Sequence, residues 1–139
     1  MIKVFEWGSK LNVVDDDNNF VGFDLADDCC AHGGYFIAKS IHTKDFNVDN
    51  NEIKDTVEDK EFDKYYFSED FFEEHDNVGE GRLVSTTIVV FKFDHLYQHV
   101  YQHENCEHPP LYLHLFNVHN GYYAKGFKCT FGHTREGSI

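Results

Sequence analysis

The chain has 139 residues, of which 41% are hydrophobic and 17% aromatic, and carries a formal net charge of −13. That length gives a single domain over residues 1–139 with a core of its own, and the aromatic share excludes wholesale disorder, since these side chains offset the entropy of ordering. The charge disfavours direct contact with nucleic acid or with an anionic membrane, because both need Lys and Arg against phosphate.

The charge is uneven. Residues 44–80 hold fourteen acids and four bases, a net of −10, whereas residues 81–139 hold four acids and five bases. An acidic stretch attracts basic partners or cations, and it also keeps a protein soluble. The start "MIKVFEWGSK" has no apolar signal core, and no run approaches the roughly 18 apolar residues of a membrane span. Four cysteines in a chain of this length do not make a disulfide scaffold, and Cys29 and Cys30 are adjacent. A cytoplasmic protein with reduced thiols is expected.

In chain order, "KVFEW" at 3–7 and "KLNVV" at 10–14 read as short strands around Gly8-Ser9. "DDDNN" at 15–19 is a turn, since Asp and Asn bond their own backbone. "FVGFDL" at 20–25 is a third strand, with Phe20 and Gly22 on one face and Val21, Phe23 and Leu25 on the other. A three-strand meander follows. Gly33-Gly34 marks a turn or a close backbone approach, and "YFIA" at 35–38 is another short strand.

The acidic middle predicts one or two short helices. One lies around 52–60. The other is "SEDFFEEH" at 68–75, where Ser68 precedes acids in a first turn, as at a capped helix start. "RLVSTTIVVFKFDHLYQHVY" at 82–101 returns to β. "LYLHLFNV" at 111–118 places Leu111, Leu113 and Leu115 on one face and Tyr112, His114 and Phe116 on the other. "YYAKGFKCTF" at 122–131 is its expected partner across Asn120-Gly121, a type I′ hairpin signal.

Three of these features, in this order, resemble an uncharacterised family of small phage and bacterial proteins. They are the Asp-Cys-Cys at 28–30, the Thr-rich strand "STTIVVFKF" at 85–93 and the Asn-Gly-Tyr-Tyr at 120–123. His119 stands where that family commonly has Ser, and Ala31 where it commonly has an acid. The resemblance implies an α+β or mostly β domain without an assigned activity. Carriage on phage genomes would imply interference with a host system, such as a defence protein, in the host cytoplasm.

Candidate chemistry is sparse. Adjacent cysteines on a strand face opposite ways, and the acids beside them raise a thiol pKa, so Cys29 and Cys30 suit packing better than catalysis. None of the common catalytic signatures is present, neither a nucleophile elbow, a zincin, a phosphate loop nor a dinucleotide fingerprint. The stretch "HLYQHVYQHENCEH" at 95–108 has two readings. On a helix, His95, His99 and His103 share a face and, with Cys106 or His108, could hold zinc or another transition metal. On a strand, Phe91, Phe93, His95, Tyr97, His99, Tyr101 and His103 share one face as a continuation of the preceding strand. The strand reading is favoured, with a turn near Asn105.

The expected fold is therefore α+β, a mostly antiparallel twisted sheet of about six strands with one or two short helices from the acidic segment. The expected function is binding without catalysis and without a cofactor. A host protein with a basic surface would be occluded by Glu69, Asp70, Glu73 and Glu74, helped by His119, Tyr122 and Tyr123 at the late hairpin. The alternatives are the metal protein just described and a structural domain that forms a homodimer.

Overall fold

Alternating apolar residues, punctuated by Gly, Asp and Asn, give this chain strands rather than helices. A computed structural model describes residues 2–26, 31–39, 62–75, 85–96, 109–119, 124–132 and 136–139. Nine strands run through them: β1 Lys3–Trp7, β2 Lys10–Val14, β3 Phe20–Asp24, β4 Ala31–Ala38, β5 Tyr65–His75, β6 Ser85–His95, β7 Leu111–His119, β8 Gly126–Cys129 and β9 Glu136–Ser138. They form two antiparallel sheets, a five-stranded one of order β1-β2-β3-β8-β9 and a four-stranded one of order β4-β7-β6-β5.

The two sheets share a core. From the five-stranded sheet come Leu11, Val13, Val21, Phe23, Phe127 and Cys129. From the four-stranded sheet come Ile37, Phe67, Val89, Phe91, Phe93, Leu113 and Leu115. Alternate residues of β2, β3, β6, β7 and β8 point into this layer, as a β-sandwich requires. Phe91 sits at its centre, edge-on to Phe72, Phe127 and Phe131 with ring centroids 5.5 to 6.1 Å apart. The back of the four-stranded sheet carries a second apolar cluster of Phe36, Ala38, Ile88, Val90 and Phe116. His114 is buried there, stacked on Phe36 at 4.3 Å, with Nδ1 3.1 Å from the Tyr112 carbonyl.

This architecture corrects the α+β expectation: the described residues are almost all strand and contain no α-helix. The helix expected at 68–75 is the second half of β5. Tyr65, Phe67 and Phe72 pair with His95, Phe93 and Phe91, and the register slips between Phe67 and Phe72. Ser68, Glu69 and Asp70, the apparent cap, fall in that irregularity. A cap contributes on the order of 1 kcal/mol. Burying each aromatic of β5 is worth about 1.5–3 kcal/mol, so tertiary packing overrides the local signal. The helix expected at 52–60 lies outside the described residues.

The late hairpin is also corrected. β7 spends both its edges on β4 and β6, while β8 pairs with β3 and β9. The chain therefore crosses between sheets where a hairpin was expected, and residues 120–123 lie outside the described residues. Gly33 and Gly34 lie within β4 rather than at a turn. They do mark a close approach, because the Phe116 ring covers Gly34 and the Lys125 side chain covers Gly33. The first three strands, the 15–19 turn and the faces of β3 and β7 are as the sequence indicates.

Among the described residues, side-chain hydrogen bonds tie the sheets at two places. Near the start of β5 the buried Asp15 carboxylate accepts the Phe67 N–H at 3.1 Å. Near the end of β7, Asn117 Nδ2 donates to the Ile139 carbonyl at 2.8 Å, and Ile139 exchanges backbone hydrogen bonds with Lys125.

Candidate functional site

The outer face of the five-stranded sheet is built by strand alternation alone. Since Val13, Val21 and Cys129 point inward, their neighbours point out. Register then sets three rows across the sheet. One is Trp7, Lys10 and Asp24. The next is Phe5, Asn12, Gly22, Lys128 and Glu136. The third is Lys3, Val14 and Phe20. β1 is an edge strand, so Phe5 and Trp7 form the rim. Trp7 is 89% exposed and Phe5 53%, and Leu96 is the one other large apolar side chain exposed among the described residues.

Next to that rim lies an open groove of about 700 Å³. That is within the roughly 300–1,000 Å³ of small-molecule sites. Gly22 and Gly126 line it where side chains would otherwise rise from the sheet. Phe20, Lys10, Asn12, Asp24, Lys128, Glu136 and Ser138 surround them. A Cβ on Gly22 would lie 3.2 Å from Asn12 Oδ1, so the glycine leaves room for the amide. Lys10 Nζ is 3.4 Å from Asp24 Oδ2. The Ala26 N–H donates to Asp24 Oδ1 at 3.0 Å and, with Lys10, holds this carboxyl below its ordinary pKa. The face thus offers two aromatic surfaces, an amide, a hydroxyl and ionic groups of both signs around a shallow floor.

The acids named from the sequence fall elsewhere. Glu69 and Asp70 are exposed in the irregular part of β5, an edge strand of the other sheet. Glu74 is exposed too, whereas Glu73 is half-buried and its Oε2 lies 3.1 Å from His75 Nε2. They share no helix face. The turn residues Asp15, Asp16 and Asp17, with Asp63, lie close enough to Tyr66 on β5 to add to the burial that raises its pKa. The acidic surface therefore includes the exposed Asp16 and Asp17 of the 15–19 turn.

His119 ends β7, with Nε2 3.2 Å from Thr87 Oγ1. Tyr122 and Tyr123 lie outside the described residues. His95 closes β6, buried edge-on against Tyr65 at 4.9 Å. The strand reading thus holds for Phe91, Phe93 and His95, but β6 stops there, with Leu96 in a turn. His99, His103, Cys106 and His108 lie outside the described residues, and among the described residues no cluster of three ligand-type side chains occurs. Likewise no helix there is long and apolar enough to cross a membrane.

Phe5 and Trp7 were not singled out from the sequence, although the signal was present. "KVFEW" read as a strand puts two aromatics on one face with a charge between them. Their partners across Lys10 and Asn12 needed the sheet order. Comparison with known proteins adds no relative: no family model, no curated protein and no solved structure matches this chain. The resemblance to small phage proteins rests on its three short motifs alone.

Proposed function

We propose that this protein is a binding module whose ligand seats on the outer face of the five-stranded sheet, against Phe5 and Trp7 and into the groove beside them. The observation that supports this most strongly is the exposure of Trp7 at 89% on a face that also carries a groove. Leaving an indole in water forgoes about 1.5–3 kcal/mol of burial, and aromatic side chains are the commonest anchors of binding surfaces.

The test is a binding panel of unrelated compounds: neutral oligosaccharides, single-stranded oligonucleotides and lysine-rich peptides. Affinity is measured for the native chain and for Phe5→Ala and Trp7→Ala. A compound that binds the native chain and is weakened by both substitutions supports the face. A compound held equally by all three chains puts the function elsewhere.

A second reading retains the acidic surface. Its support is the exposure of Glu69 and Asp70 on the edge strand β5, near the acidic 15–17 turn. In this reading a basic host protein docks there, in keeping with the phage resemblance. Acids on an edge strand also block sheet-to-sheet aggregation, which accounts for them without a partner. Charge reversal of Glu69, Asp70, Glu73 and Glu74 separates these roles: lost binding of the lysine-rich peptide supports docking, and unchanged binding removes it.

A further inference from the structure

Given the binding face proposed above, we infer that its ligand is a neutral saccharide, seated with one pyranose ring against Trp7 and the chain running along Phe5 and the glycine-floored groove. The inference rests on that face being the binding face.

Charge balance is the first argument. The chain as a whole is at −13. On this face Lys3, Lys10 and Lys128 stand against Asp24 and Glu136, so the charges nearly cancel. A nucleic acid would meet the repulsion of the whole molecule for little local gain. A strongly basic protein would find its charge partner on the β5 side instead. An uncharged ligand meets neither effect.

Shape is the second. A protein partner needs roughly 800 Å² of surface with an apolar centre. Here the two largely exposed aromatics lie on one edge strand, and the groove beside them is lined by glycines and polar side chains together with the half-buried Phe20. That is a patch for a narrow, amphipathic ligand. The carbon face of a pyranose is a set of weakly positive C–H bonds, complementary to the negative face of indole or phenyl. Its hydroxyls are paired donors and acceptors, matched by Asn12, the Lys10–Asp24 pair, Lys128, Glu136 and Ser138. Phe5 and Trp7, two apart on a strand, stand roughly 7 Å from each other, comparable to one sugar unit with its linkage.

Trp7 is the chain's single tryptophan, so tryptophan emission, excited beyond the absorption of the tyrosines, reports on this site alone. The experiment titrates the full chain with cellohexaose, xylohexaose, mannohexaose, chitohexaose and maltohexaose. A single-stranded oligonucleotide and a lysine-rich peptide serve as other classes. The expected result is a saturable blue shift of emission with at least one hexasaccharide. Affinity electrophoresis of Trp7→Ala in gels of the matching polysaccharide should show about a tenfold or greater weakening. Because Trp7 is almost wholly exposed, this variant keeps its fold, checked by its circular dichroism.

No shift with any hexasaccharide overturns the inference. A shift with the oligonucleotide or the peptide alone overturns the saccharide but leaves the binding face standing. A shift that grows with protein concentration in sugar-free buffer assigns the face to a second copy and overturns the saccharide. Sugar retained equally by Trp7→Ala and Phe5→Ala overturns both the saccharide site and the face.

Discussion

The Asp15 carboxylate and the Phe67 backbone N–H meet at 3.1 Å across the two sheets. The other oxygen of Asp15 accepts the N–H groups of Asp17 and Asn19, each at 2.9 Å. One buried side chain therefore fixes the β2–β3 turn and pins the start of β5 to it. Phe67 in turn packs against Phe93 and Phe131 at 4.5 and 4.7 Å. Turn geometry and core packing are thus joined through a single residue.

Replacing Asp15 by Ala leaves three backbone N–H groups and the Asn19 side-chain amide without this acceptor. Each buried unsatisfied group costs about 1–3 kcal/mol, and water reaches those at the turn. We expect a loss of about 2–4 kcal/mol, measured by urea unfolding. Asp15→Asn retains one carbonyl oxygen and should lose less. Equal stability of Asp15→Ala and the native chain would show that this link does not hold the sheets.

Gly34 lies under the ring of Phe116, where a Cβ would collide with it. Gly34→Ala should therefore cost about 1–3 kcal/mol. The loss should shrink in a Phe116→Leu background, because the smaller side chain clears the space. A double-mutant cycle checks this, and additive effects would contradict the contact.

Much of the sandwich was legible in the sequence. β1, β2 and β3 follow from alternation and the Asp-Asn turn, and the two faces of β7 follow from period two. What stayed hidden is non-local. "SEDFFEEH" carries a true local helix-start signal, but Phe67 and Phe72 are held by Phe93 and Phe91 from a strand further along the chain. Asn120-Gly121 indicates a turn, yet no local signal says that β7 is already paired on both sides. For the binding face, Phe5 and Trp7 could be read from the alternation of β1. Lys128, Glu136 and Ser138 join them through the β3–β8 and β8–β9 pairings, which no short window contains.

Asp24 provides a pH signature. The Ala26 N–H, followed by Lys10, lowers its folded pKa below the ordinary 3.8. A lowered carboxyl pKa gives stability that is present above the unfolded value and is lost as pH falls through the folded one. Asp24→Asn should therefore be less stable than the native chain at pH 7, by under about 1 kcal/mol because solvent screens the pair. The difference should vanish as pH falls below 3.8. Unfolding midpoints of the two proteins across that range provide the check, and a gap that widens in acid would reverse the assignment.

Gly22 separates stability from binding. A glycine within a strand costs about 0.5–1 kcal/mol relative to Ala, and the Asn12 side chain can yield the few tenths of an ångström a Cβ needs. Gly22→Val should thus leave the thermal midpoint unchanged or raised while filling the groove floor. Ligand affinity should fall in the same protein. Preserved affinity would show that the groove is not occupied.

The most direct measurement follows the Trp7 indole N–H, which gives the chain's single tryptophan side-chain cross-peak in a nitrogen–proton correlation spectrum. Titrated with whichever compound the chain binds, this peak should move saturably, together with backbone peaks of β1, β2 and β3. A saturating ligand that leaves the indole peak in place and shifts β5 instead would contradict the proposed face and locate binding on the acidic edge.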